Sequence, residues 1–337
     1  MFSCNMIFCK LDLPKRWRRC QRLLMAVTLF LSGIVALSLS LSTVAYASVP
    51  PMPNTNWSFY LDTTDTNTIY QLGCNQGSAD AADNHNSLVI LDFGGQDNAN
   101  SGTAYPGQST VIWSYATDEN LAEVFAWGYY KCAANANDSD TVLSLVVGTN
   151  NSFDSVNYGG GQGWGNVVSA VGSYISNSVE ADQVVVYGGN DIESWGSASG
   201  TLAWAAGFQA NAPGYSYIDY GSADGCPTTI SSPPGPCSNN WNQYDYWDVS
   251  WGNGIGEAAP EIYNTNGDQA TQWALISAYG ANNENNYIAA FESVLDEYDL
   301  NSGTNTPAQA WTDMWNALTF WNVVPVGIAF SSEMHWE

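Results

Sequence analysis

The chain has 337 residues, and 32 Asp and Glu against seven Lys and Arg give it a formal charge of −25. Charge-driven binding of nucleic acid or of an anionic membrane surface is excluded, because phosphate contacts depend on Lys and Arg. Phosphorylated substrates are disfavoured for the same reason, which leaves a neutral glycan, a cation or a positively charged partner.

The N-terminus opens with a basic head of Lys10, Lys15, Arg16, Arg18, Arg19 and Arg22. Residues 23–44 are then apolar or small and uncharged, and Ala45-Tyr46-Ala47 supplies a small-x-small cleavage pattern. This reads as a secretory signal over 1–47, with a mature domain of 48–337. An uncleaved membrane anchor is the alternative, since the apolar run approaches the roughly 20 residues a span requires. Past residue 47 the only basic side chain is Lys131, and every acid but Asp12 remains, so the formal charge is about −30. Life in an acidic medium would relieve that self-repulsion. Cys74, Cys132, Cys226 and Cys237 are left, an even number in an oxidising compartment. Three pairings exist. The expected one joins Cys226 to Cys237 across PTTISSPPGP and Cys74 to Cys132. A zinc site is the weaker reading, because there is no C-x-x-C and the chain holds only His85 and His335.

Residues 48–58 look like an extended leader into the domain. Apolar runs at 87–93, 141–148, 183–189, 215–221 and 323–330 predict strands. The alternating 244–251 segment and the short 260–264 segment predict two more, while 287–293 fits strand or helix. Helical spacing predicts helices over 118–131, 163–177, 199–210, 269–279 and 307–320, the last with Pro307 in its first turn. Strand–helix alternation with continuous apolar strands argues for an α/β fold, a (β/α)8 TIM-like barrel in a single domain. No Gly-x-Gly-x-x-Gly links a strand to a helix, so no dinucleotide cofactor is expected, nor any other cofactor or metal. The Asx-rich stretches 62–67 and 135–140 do not match an EF-hand loop.

The segment QVVVYGGNDIESW places Asp191 and Glu193 two residues apart where a buried strand ends. Residues two apart share a strand face, so both carboxyls would project together, with Ile192 turned toward the helices. Such a pair need not ionise equally, and one acid kept protonated is what glycosidic cleavage demands of its proton donor. Asp92, Asp219 and Asp248 fall at comparable strand ends and would converge at the barrel's C-terminal face, where barrel active sites lie. Trp195 and Tyr217 sit beside these acids, and flat rings with a polar tip pack against sugar faces. Nucleophile chemistry fits poorly: there is no Gly-x-Ser-x-Gly, and a serine triad would have to draw on His85 or His335.

The segments LVILDFG, VVVYGGNDIESW, YIDYGSADGCP, WDVSWG and PEIYN resemble a group of secreted bacterial proteins of uncharacterised function. These in turn look like distant relatives of glycoside-hydrolase-type barrels, including the Chalaropsis-type lysozymes. The resemblance implies that Asp191 and Glu193 form an Asp-x-Glu catalytic pair, with Asp92 a counterpart on the first strand. The expectation is therefore a secreted hydrolase of a neutral or N-acetylated glycan. In it Glu193 is the general acid and Asp191 its partner, and Asp92, Asp219, Asp248, Trp195 and Tyr217 hold substrate. The alternative is a non-catalytic extracellular barrel that binds a glycan or a partner. The sequence assigns no oligomeric state.

Overall fold

Alternating burial along the strands builds a ring with two distinct apolar layers. The computed structural model describes residues 49–97, 101–104, 112–136, 140–151, 156–230, 232–284, 291–321, 323 and 328–337. The expected signal segment 1–47 lies outside the described residues. Among the described residues, no helix is long and apolar enough to cross a membrane.

The strands are β1 Thr55–Tyr60, β2 Ser87–Gln96, β3 Gly102–Ala104, β4 Ile112–Ser114, β5 Leu143–Asn150, β6 Val184–Asp191, β7 Tyr217–Asp219, β8 Gly256–Ala258, β9 Ser293–Asp296 and β10 Phe330–Trp336. The helices are α1 Thr66–Asp83, α2 Tyr115–Asn135, α3 Tyr158–Ser176, α4 Ala198–Asn211, α5 Gln243–Trp247, α6 Asp268–Asn283 and α7 Pro307–Phe320. Eight strands pair in parallel in the order β8-β7-β6-β5-β2-β1-β10-β9. Chain order therefore runs once around a ring, and the last strand docks beside the first, with Thr55 opposite Ser331. Isolated parallel bridges, Ala258 to Phe291 and Glu261 to Leu295, bring β8 against β9 and complete the circuit. The expected (β/α)8 barrel is what the chain forms. The short hairpin β3–β4 is the exception, pairing antiparallel with the far end of β2.

Period-two alternation explains the layers. Leu88, Ile90, Val146, Ile218, Leu295 and Met334 point inward and fill the lumen. Their neighbours Val89, Leu91, Leu145, Val147, Val184 and Val186 point outward into the larger core beneath the helices. Disulfides join Cys74 of α1 to Cys132 of α2, and Cys226 to Cys237 across the Pro/Ser-rich loop, the pairing expected from the sequence.

Three expectations about elements need correction. The last four residues of the 48–58 leader open the first strand, β1, and α1 follows it unforeseen. The 244–251 segment is helical: α5 runs directly into a π-turn at Asp248–Gly252. Asn242 caps that helix through its side chain, and Asp245 reaches back to the Asn242 N–H, a reciprocal capping box that outweighs the strand-like alternation of YDYWDVSW. The strand of the sixth unit is instead the three-residue β8, and 260–264 contributes a bridge only. The final strand lies at Phe330–Trp336, later than the apolar run suggested, and most of 323–327 lies outside the described residues.

Candidate active site at the C-terminal face of the barrel

On β2, β5 and β6 the inward parity ends in a polar residue. On β2 the series Leu88, Ile90, Asp92 carries the carboxyl to the top of the lumen, and on β6 the series Tyr187, Gly189, Asp191 does the same. A bulge follows Asp92, where pairing with β5 skips to Gly95. Gly94 takes a positive φ of 82° there, and its N–H donates to Asp92 Oδ1 at 2.6 Å. Bulges of this kind re-aim a strand end.

Asp191 is only 6% exposed, yet it borders a cavity of about 480 Å³. The other lining residues are Tyr60, Asn150, Glu297, Leu300, Asn301 and Trp336. Asn150 Nδ2 donates to Asp191 Oδ2 at 2.6 Å, while Oδ1 is buried without a hydrogen-bond partner among the described residues. Burial drives the Asp191 carboxyl well above the usual carboxylate range, and the charges of Glu193, Asp92 and Asp219 push it further. Glu261, on the strand-like segment after β8, is held high by burial and by Asp191, Glu193 and Glu297, against a hydrogen bond from Tyr263. Asp92 is raised to about 6 by burial, opposed by bonds from Gly94 and Tyr220. The Tyr60 and Tyr263 hydroxyls meet at 3.4 Å above these acids.

Tyr220 reaches this layer because two glycines clear its path. A Cβ on Gly148 would lie 2.5 Å from the Tyr220 hydroxyl, and one on Gly189 would lie 2.9 Å from its ring. The space that Gly189 leaves is thus filled by a side chain that donates to the Thr149 carbonyl at 2.7 Å and also bonds Asp92.

Glu193 lies just past β6 and is half-buried. Ser222 Oγ donates to its Oε1 at 2.6 Å, and Trp195 Nε1 donates to its Oε2. The Asn151 amide pairs with both the N–H and the C=O of Glu193, continuing the ladder where the strand has ended. Ile192 between the two acids is fully buried in the outer core, as the alternation required. Trp195 is 68% exposed, with its ring edge tied to Glu193.

The other expected site residues are not all brought together. Asp219 has the outward parity of β7. Its carboxyl accepts from Ser250 Oγ at 2.6 Å and from the backbone N–H groups of Gly221 and Ile192. Burial raises it to about 7. Its role is to pin the turn that carries Asp191 and Glu193, not to line the hollow. Tyr217 also faces outward, packed edge-on against Trp204 and Phe208 with its hydroxyl bonded to the Val249 carbonyl, so the expected ligand contact is replaced by a core role. Asp248 moves furthest: it opens the π-turn in the helical layer and faces Tyr244, Asp245 and Glu284, because the segment is helix and not strand.

Of the seven lining residues sequence reasoning found only Asp191 and missed Tyr60, Asn150, Glu297, Leu300, Asn301 and Trp336. The signal for Tyr60 was present in the alternation Asn56, Ser58, Tyr60. Trp336 was hidden because the final strand was set too early. Among the described residues, Asp299, Glu333 and His335 are the one group placed to hold a metal ion; Glu333 and His335 have the outward parity of β10, and Asp299 lies in the loop after β9. No family model and no curated protein sequence matches the chain.

Proposed function

We propose that this barrel hydrolyses a glycosidic bond in the hollow at the C-terminal ends of its strands, and that it works outside the cell. One observation carries the reading: Asp191 is a buried carboxyl on the wall of a cavity, with one oxygen unpartnered and its proton retained by burial and by acids around it. That is the state a general acid must occupy before it acts.

The roles are exchanged relative to the sequence expectation. Asp191 gives its proton to the glycosidic oxygen as the C–O bond breaks. Glu193, with a donor on each oxygen, accepts a proton from the water whose oxygen forms the new bond to the sugar carbon. Net, one water is consumed; Glu193 releases the proton it gained to solvent, and Asp191 takes one back from solvent. Asn151 is a positioning residue that fixes the Glu193 backbone, and Asp219 is one that holds the N–H of the preceding Ile192. Trp336 and Tyr60, whose ring centroids lie 5.2 Å apart with their planes tilted by 39°, give an aromatic wall on which a sugar face can rest. The Asp-x-Glu spacing supports kinship with the Chalaropsis-type lysozymes, and two disulfides support an oxidising compartment.

The test is release of reducing ends from a panel of glycans between acidic and neutral pH. Asp191→Asn and Glu193→Gln each lower turnover about 10²–10⁴-fold while the protein stays folded. Equal rates in Asp191→Asn and the parent would remove Asp191 from the mechanism. A non-catalytic glycan-binding barrel is the second reading, favoured by the exposure of Trp195 and Trp336. It requires measurable glycan affinity with no turnover of any substrate.

A further inference from the structure

The wall of the hollow carries acids and no base. Asp191 and Glu297 line it, and Asp92, Glu193 and Glu261 stand close enough to act on Asp191 and on one another. Among the described residues the one ion pair is His85 with Asp80, at the start of β2 and the opposite end of the barrel. Lys131 is the sole lysine or arginine past residue 47, and it stacks on Trp127 near the end of α2, outside the ring. Among the described residues no lysine or arginine lines the hollow, so its carboxylates meet no opposite charge there.

Like charges packed into a partly dry site repel unless a proton or a cation joins them. In the free protein protons serve, which is why Asp191 and Glu261 hold theirs so tightly. A ligand bearing ammonium groups would relieve the same repulsion and gain a charge-assisted hydrogen bond to Glu297. A neutral glycan gains neither, and a sulfated or uronic polymer adds to the repulsion. Asp191 Oδ1, buried and bare, marks the wall as built to meet a group from the ligand. The Trp336 ring, 49% exposed, offers the sugar its flat face.

We propose that the hollow selects a polymer of hexosamines whose amino groups are free and protonated, with an ammonium held at Glu297 and the sugar ring laid on Trp336. The cleavage of such a polymer rests on the hydrolase reading, whereas its binding does not.

The experiment measures binding of glucosamine hexamer and N-acetylglucosamine hexamer by calorimetry at mildly acidic pH, in low and in high salt. The free-amine hexamer should bind about tenfold more tightly or better at low salt, and added salt should erase most of that preference. Glu297→Gln should cut the preference with the free amine losing more than its acetylated counterpart. Equal affinity, or tighter binding of the acetylated hexamer, overturns the proposal whatever the turnover. Selective binding of the free amine with no glycan cleaved leaves this inference standing and removes the hydrolase reading. Cleavage that favours the acetylated polymer does the reverse.

Discussion

Asp191 commits one oxygen to Asn150 and leaves the other bare at a cavity wall. A buried carboxyl in that state is costly to ionise, and the cost grows with each acid nearby. Asparagine has the same shape without the charge. Asp191→Asn should therefore raise stability at neutral pH by on the order of 1–3 kcal/mol, read by denaturant unfolding, while it lowers turnover. Loss of stability together with loss of turnover would mean that the side chain serves packing and not chemistry. Asp219 makes the contrasting case. Its carboxyl has Ser250, Gly221 and Ile192 as donors, so Asp219→Ala strands them in a dry site and should cost about 1–3 kcal/mol. The loss of catalysis should then appear mainly in kcat, because the turn bearing Glu193 is loosened and not removed.

Helices α1 and α2 meet backbone to backbone. A Cβ at Gly73 would stand 2.1 Å from the Phe125 carbonyl oxygen, and one at Gly128 would stand 2.3 Å from that of Tyr70. Helices α3 and α4 use the same device at Gly161 and Gly207. Gly73→Val must push two helices apart against the Cys74–Cys132 bond, at a cost of about 3 kcal/mol or more, seen as a lower denaturant midpoint. An unchanged midpoint would show that the helices already have room. This packing also explains what could be read in the sequence. The strands at 87–93, 141–148, 183–189 and 215–221 were legible because both faces of a parallel barrel strand are apolar. The pairs α3–α4 and α6–α7 were legible from their spacing. Helix α1 was not, because it buries glycine and Asp80 where an apolar stripe was sought. Strand β1 was not, because Asn56 and Ser58 occupy its lumen face. Of the site, Asp92, Asp191 and Glu193 were legible as acids ending apolar runs. Glu297 and Trp336 depend on the short or late strands β9 and β10, whose sequences carry little pattern, and Tyr60 depends on β1, whose alternation puts polar residues on the inner face.

Across the molecule burial raises many acids above the usual carboxylate range. Asp92 is raised to about 6, Asp219 and Glu180 to about 7, and Asp118 and Asp296 to about 8, burial being the first cause in each. An unfolded aspartate titrates near 3.8. The folded chain therefore binds more protons than the unfolded chain between about pH 4 and pH 8, and stability falls as pH rises through that window. Below it the contribution is complete. For Asp92 alone the loss is on the order of 3 kcal/mol by neutral pH. The melting temperature should peak near pH 4–5 and drop toward pH 8, with the excess negative charge adding to the trend. A maximum at or above neutral pH would contradict this protonation pattern and the acidic habitat it suits. The Cys74–Cys132 bond spans 58 positions and the Cys226–Cys237 bond 11, so opening them should cost about 4 and about 3 kcal/mol through the unfolded chain. Reduction should therefore lower the melting temperature at every pH.

The pairing of Thr55 with Ser331 has a consequence for biogenesis. During synthesis β1 must wait with one edge bare until the ribosome has delivered β10, since no earlier segment can take that place. Half-made chains then expose paired-strand templates to one another. A ring whose first strand finds its outer partner only in its eighth cannot lock before that eighth strand exists, so its earlier segments stay open to chaperones until then.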